Sequence, residues 1–310
     1  MRVVIAADCT MSPSEISSLI QEKLEGEVAV ELHDLDDPTK VAYVAANEAS
    51  DPIYLNRSLV DADLVIPITC ARPRMSLDYL GAYSLFPLFS NRETRGRFYS
   101  LPSLIDFDRR SELQAWADQA AWWLGIVAGI QVIPAGGGQI ASILAGQLAE
   151  LEIAAQKKMN QIWSTKSGAS DMVVMLLENS GGGQSWLDVA RGLHSATCCT
   201  THGGTVVLCT QIECAVGKGL NRLREPGRSL EQIANKLASD THDDAIAAAV
   251  ILQATSDNHV YLVSAIRSET VESLGMGVIE NAAGLSHLIS QHATCTILGS
   301  AQHRVIVPRN

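Results

Sequence analysis

A chain of 310 residues that is 47% hydrophobic and 18% charged has the apolar material for one large or two ordinary globular domains. Its net charge of −11 argues against a nonspecific nucleic-acid binder, which needs a basic face, while leaving room for a local cationic pocket. No run approaches the roughly 20 apolar residues that span a bilayer, so neither nucleic acid nor membrane is an expected partner.

In chain order, residues 3–7 read as a first strand rather than a signal peptide, because Asp8 ends a short apolar run. Ser12-Pro13-Ser14-Glu15 has the form of a capping box with proline at the first helical position. A second strand follows at 28–32. The acidic turn His33-Asp34-Leu35-Asp36-Asp37 contains metal-ligand residue types, but no second cluster completes a site.

The apolar run 64–68, set between Asp63 and Thr69, reads as a strand buried on both faces, the pattern of a parallel sheet. Arg72, Pro73 and Arg74 come next, then a loop with Asp78, Tyr79, Gly81, Tyr83, Phe86 and Phe89. Ligands of open parallel sheets sit beyond the carboxyl ends of strands. Two guanidiniums there suit a carboxylate or phosphate, since each planar fork binds such an anion through two bonds. Ordinary solvated arginines paired with Asp78 or Glu93 are the alternative.

Residues 93–108 read as charged and irregular. Residues 112–124 read as a helix with Leu113, Trp116, Ala120, Trp123 and Leu124 on its apolar face, the tryptophans belonging to the core. Two apolar segments, 130–134 and 140–144, flank Gly136-Gly137-Gly138 and read as a hairpin. A phosphate cradle is the rival reading and would require a helix N-terminus directly after the glycines.

A polar stretch at 165–170 reads as a linker, which divides the chain into domains at 1–165 and 166–310. Strands are then expected at 172–177, 205–209, 259–264 and 294–298, with helices at 186–198, 230–238, 244–254 and 282–292. This alternation is that of a second parallel α/β unit. Residues 240–243 are placed to cap the alanine-rich helix. The turn Glu178-Asn179-Ser180-Gly181-Gly182-Gly183 lies between a strand and a helix start, like a dinucleotide-binding corner, but it lacks the regular G-x-G-x-x-G spacing. The eight histidines make no i, i+4 ligand pair, and no nucleophile-base pattern appears. Seven cysteines without zinc spacing or a disulfide framework imply reduced, mostly buried thiols in a cytoplasmic protein.

The stretch PIYLNR…DADLVIPI resembles the signature of the nickel-dependent lactate racemase family, in which an apolar strand leads into a glycine-rich active-site loop. VVIAADCTMSPSEI lies where that family has a strand, a Gly-Thr-His-Arg-like turn and a helix, and the resemblance runs through most of the chain. It implies a two-domain α/β fold with mostly parallel sheets, a cleft between the domains, and isomerisation of a small 2-hydroxy acid. It also implies that the helix after the second glycine-rich turn offers an amide and a cation to substrate. Arg191 holds the cation position, and Asp188 stands where the amide would be; a solvated helix arginine simply paired with Asp188 is the alternative.

With the cleft arginines, the candidate substrate-binding set is Arg72, Arg74, Tyr79, Trp186, Asp188 and Arg191. The expected ligand is a small anion. The family's nickel pincer nucleotide is tethered through a lysine in the hairpin region and ligated by a histidine a little downstream. Here the turn reads Gly136-Gly137-Gly138-Gln139, and between Gly146 and Trp163 stand Lys157 and Lys158 but no histidine. The N-terminal turn also departs, reading Asp8-Cys9-Thr10-Met11. No cofactor is therefore assigned and no tethered pincer is expected. Two further readings stay open: a noncatalytic anion-binding paralogue, and a Rossmann-like nucleotide-binding protein.

Overall fold

The structure, a computed structural model, describes residues 1–6, 13–23, 28–47, 50–74, 76–77, 79, 85–100, 103, 107–179, 183–225, 227, 229–240 and 242–308. The turn at 8–11, the capping serine at 12 and Asp78, Gly81, Tyr83, Gly181 and Gly182 lie outside these residues.

The first strand, β1 (Arg2–Ala6), is followed by helix α1 (Pro13–Lys23) and pairs in parallel with β2 (Ala29–His33). Strands β3 (Val41–Ala46) and β4 (Pro52–Asn56) then form an antiparallel hairpin that the sequence reading lacks. The reading of 64–68 as a strand buried on both faces is corrected. The hydrogen-bonded strand β5 is Ile68–Cys70, and Leu64, Ile66 and Ile68 are 64%, 53% and 69% exposed. Val65 alone of the run's aliphatic residues points inward, because only one side of this strand is covered.

Residues 93–108 are not irregular throughout. Helix α2 (Arg92–Phe98) occupies their first part, with the Asn91 side chain accepting from the Thr94 amide. Helix α3 (Phe107–Trp123) buries Leu113, Trp116 and Ala120 against Ile53, Leu55, Phe86 and Phe98. Trp123, read as core, is instead about half exposed, and Trp122 more so.

β6 (Ala128–Pro134) pairs in parallel with β5 and antiparallel with β7 (Ile140–Gln147), forming the expected hairpin in a three-stranded sheet ordered β5-β6-β7. A single 3₁₀ turn of glycines closes it, with Gly137 and Gly138 at φ of 69° and 71°, where a side chain would be strained. Helix α4 (Leu148–Trp163) follows and buries Leu151, Ala155, Met159 and Trp163, one residue per turn, on one face of that sheet.

The polar stretch at 165–170 is not irregular throughout. Strand β8 (Ser164–Ser167) lies there and pairs in parallel with the last strand, β14 (Val305–Pro308). β9 (Ser170–Leu176) then opens a five-stranded, all-parallel sheet with β10 (Thr200–Cys209), β11 (His259–Val263), β12 (Gly277–Val278) and β13 (Cys295–Gly299). Its order is β12-β11-β10-β9-β13.

The helices of this half are α5 (Trp186–Thr197), α6 (Leu230–Ala238), α7 (Ala245–Asp257), α8 (Ser268–Ser273) and α9 (Ala282–Ser290). Helices α5 and α7 cover one face through Leu193 and Ile251 against Val173, Met175, Val206 and Leu208. Helix α9 covers the other through Leu285, Leu288 and Ile289 against Met172, Val174 and Val207. Each fully buried side chain of this kind is worth about 1.5–3 kcal/mol over leaving it in water.

The alanine-rich helix α7 is not capped by residues 240–243 as read. Asp240 instead binds His242 and Arg222, and the Asp244 carboxylate accepts from the amides of Gly219 and Leu220. The thiols are less buried than read: Cys70, Cys198 and Cys295 are exposed, and Cys199 is buried.

Candidate functional site

In the five-stranded sheet the chain moves outward from β9 through β10, β11 and β12, then returns to add β13 on β9's other side. The crevice beyond the carboxyl ends of β9 and β13 is therefore the switch point where open α/β sheets hold ligands. Glu178 follows β9, and Ser300, Gln302 and His303 follow β13. These two segments lock together, since the Gln302 amide group both accepts from the Glu178 N–H and donates to its carbonyl. Ser300 stands in the left-handed region at φ 53° and donates its hydroxyl to the Glu178 carboxylate. The other carboxylate oxygen accepts the Gly137 amide at 3.0 Å, so the hairpin tip is docked on the switch point.

β5 delivers Arg72 to the same place. Gln156 of α4 fixes the turn by donating to the Arg72 carbonyl (2.8 Å) and accepting from the Arg74 amide (3.1 Å). An Arg72 Nη1 donates to His303 Nδ1 at 3.3 Å, which puts the imidazole's proton, when neutral, on Nε2. The His303 ring also leans on Trp163, with centroids 5.1 Å apart.

On the sheet side, the Ser185 hydroxyl and the Asp188 carboxylate cap the N-terminus of α5 reciprocally. Asp188 also accepts from Arg191 Nη1 at 2.6 Å, with both side chains mostly buried. Burial works to raise the Asp188 carboxyl, but the Arg191 guanidinium, the Ser185 bonds and the field of Arg72 together hold it below the usual carboxylate range. Two guanidiniums thus act on one carboxylate.

The six candidates separate into three groups. Arg72, Asp188 and Arg191 converge at the switch point. Arg74 and Tyr79 form a second cluster on Glu152 of α4, each donating to the same oxygen at 2.6 Å. Burial and that carboxylate push the Tyr79 hydroxyl well above the ordinary phenol range, so it stays protonated. An open concavity of about 350 Å³, lined by Arg74, Ile153, Gln156 and Val305, adjoins this cluster. Trp186 is a core residue, buried to 4% with its indole N–H on the carbonyls of Cys214 and Ala215.

Glu178, Ser300 and His303 are the site residues that the sequence reading missed. Ser300 and Glu178 lie 122 positions apart, and no spacing joins them. The one available signal was the position of Glu178 directly after an apolar strand run. Among the described residues, no group of three His, Cys, Asp or Glu side chains is placed to hold a metal ion.

No protein-family model matches the chain, and no curated protein sequence does either. Solved structures do match. The lactate racemase apoprotein from Thermoanaerobacterium thermosaccharolyticum superposes with a TM-score of 0.82 at 14% identity, covering 100% of this chain and 78% of its own. A structural-genomics target from Thermotoga maritima gives a TM-score of 0.71 at 13% identity, covering 99% and 86%. The architecture is therefore that of lactate racemase, and by fold this is a divergent, lactate-racemase-like chain.

Proposed function

We propose that this chain binds a small organic carboxylate of the 2-hydroxy-acid class at the switch point, with Arg72 as the anion-binding fork. The observation that carries the reading is the placement of Arg72 just beyond β5, donating to His303 at the switch point. The guanidinium plane recognises a carboxylate by two parallel bonds, and the crevice beyond the strand ends is where open α/β sheets hold ligands. In the Arg74 cluster, by contrast, Arg74 and Tyr79 are both turned onto Glu152, away from the switch point.

The fold's likeness to lactate racemase favours a second reading, an isomerase of the same substrate class. Racemisation at the carbon bearing the hydroxyl removes a hydrogen from one face and returns it to the other. It therefore needs a hydride acceptor and paired acid-base groups. The nickel pincer nucleotide would supply the acceptor, but the described residues do not fit it. The glycine turn at 136–138 offers no amine, the Gly137 amide is taken by Glu178, and no cluster of imidazole or thiolate donors stands nearby. No step is assigned through that group.

Calorimetric titration with D- and L-lactate, followed by chiral chromatography after long incubation, tests both readings. Binding weakened at least about tenfold in Arg72→Ala, without interconversion, is the expected result. Interconversion of the enantiomers would make the isomerase reading the correct one. If neither lactate nor longer 2-hydroxy acids bind, the proposal fails.

A further inference from the structure

The run 64–70 alternates. Leu64, Ile66, Ile68 and Cys70 are exposed, while Val65 and Pro67 are buried. The register carries this outward face across the sheet in two rows: Ile68 beside Ile130 and Ala145, and Cys70 beside Val132 and Ile143. Helix α4 packs on the opposite face, where Gln131 and Ile133 are buried and Leu144 partly so. Apart from Gln147 at its end, the outer face is thus apolar or small, yet Ile143 stands 62% exposed on it, and β7 is an edge strand.

A strand that is apolar on both sides is the composition of a strand covered on both sides. Exposed edges of monomers usually carry lysine, proline or another guard, and β7 (IASILAGQ) carries none. Charge points the same way. From Gln119 to Ala149 there is no charged residue, in a chain of net charge −11. Like-charged copies repel on average, and the uncharged β6-β7 part of this face, bordered by the exposed Asp61 and Asp63, adds no charge of its own to that repulsion. Its side chains present on the order of 500 Å² of apolar surface, near the upper limit of a monomer's largest patch. Two such faces together bury roughly 1,000 Å², where specific interfaces begin.

We infer that a second copy of this chain covers this face, the two β5-β6-β7 sheets packing against each other about a twofold axis. Such an interface is self-complementary, because each copy brings the same apolar rows.

Sedimentation velocity of the full chain from about 0.5 to 200 μM tests this. The expected result is a species of twice 33.2 kDa that forms with rising concentration. Ile143→Glu should weaken it by more than about tenfold, since the two introduced carboxylates meet near the axis without partners. Ile153→Glu, at an exposed isoleucine of α4 away from this face, should leave the dimer intact. Circular dichroism of both variants confirms that they are folded, as substitutions at exposed positions allow.

A monomer at every concentration overturns the inference. So does a dimer that survives Ile143→Glu or dissociates in Ile153→Glu. A wild-type monomer whose Ile143 face binds phospholipid vesicles, and loses that binding in Ile143→Glu, would give the face to a membrane surface instead.

Discussion

The two largest sheets among the described residues are built from similar sequence and covered differently. The five-stranded sheet has helices on both faces, and residues of both parities along β9 and β10 are fully buried. The β5-β6-β7 sheet has a helix on one face only, and its outward aliphatic residues are in water. An apolar run reports that a strand is suited to burial on both sides. It does not report that its own chain supplies both covers. In the first sheet α5, α7 and α9 do so; in the second, α4 covers one side and the other is left to something else.

Four measurements break or sharpen this contrast. Leu208→Ala, in the doubly covered sheet, should cost about 3 kcal/mol in chemical unfolding, because helices on that face cannot collapse into the gap. Asp188→Ala comes next, at about 2 kcal/mol, since it removes a helix cap and the ion pair with the mostly buried Arg191. Asp188 also fixes an acid dependence. Its folded value lies below its unfolded one, so its contribution is present above about pH 4 and is lost as pH falls through the folded value. The variant should lack that part of the acid limb.

His33 gives a smaller effect at milder pH. Burial holds its imidazole below the usual 6.5, despite the Ser90 carbonyl that accepts from Nε2 at 2.7 Å. Asn56 donates to Nδ1, so both ring nitrogens are engaged in the neutral form. The folded value being the lower one, the stability is full above about pH 6.5. It falls below that by no more than about 1.4 kcal/mol per pH unit, until the folded value is passed. His33→Gln should flatten the slope just below pH 6.5. The smallest effect belongs to the singly covered sheet. Ile143→Ser, measured below 1 μM, should change stability by less than about 0.5 kcal/mol. A loss comparable to that of Leu208→Ala would mean that its face is covered within one chain, and the contrast would collapse.

The α/β class and most strands from β9 onward were legible in the sequence, because each is a short apolar run set between helices with good caps. Ser185 and Asp188 at α5, and Ser229 and Gln232 at α6, show both halves of a capping box in the structure. β3, β4 and β14 were not legible. Their residues are short mixed stretches whose partners lie elsewhere in the chain, and β14 pairs with a strand that reads as a polar linker. Trp123 fits the apolar stripe of α3 by spacing, but periodicity cannot say that the helix's end runs out beyond the core. At the candidate site, Arg72, Asp188 and Arg191 stood out as charges beside strand and helix ends. Glu178, Ser300 and His303 did not, since the crossing of β13 over to the far side of β9 brings them together, and topology is not written in local pattern.

The pairing of β8 with β14 sets a schedule for synthesis. Arg304, at the entry to β14, bonds Thr165 in β8, 139 positions away in sequence, and its guanidinium lies 5.5 Å from the Trp163 ring at the end of α4. As the chain leaves the ribosome, β8 and Trp163 wait without these partners until nearly all of the five-stranded sheet has been made. Closing a loop of this length is slow compared with forming a hairpin such as β6-β7. A nascent chain therefore carries β8 as an unfinished edge while everything between β8 and β14 is made, the interval in which such an edge is open to wrong pairing. The emergence of β14 ends that exposure.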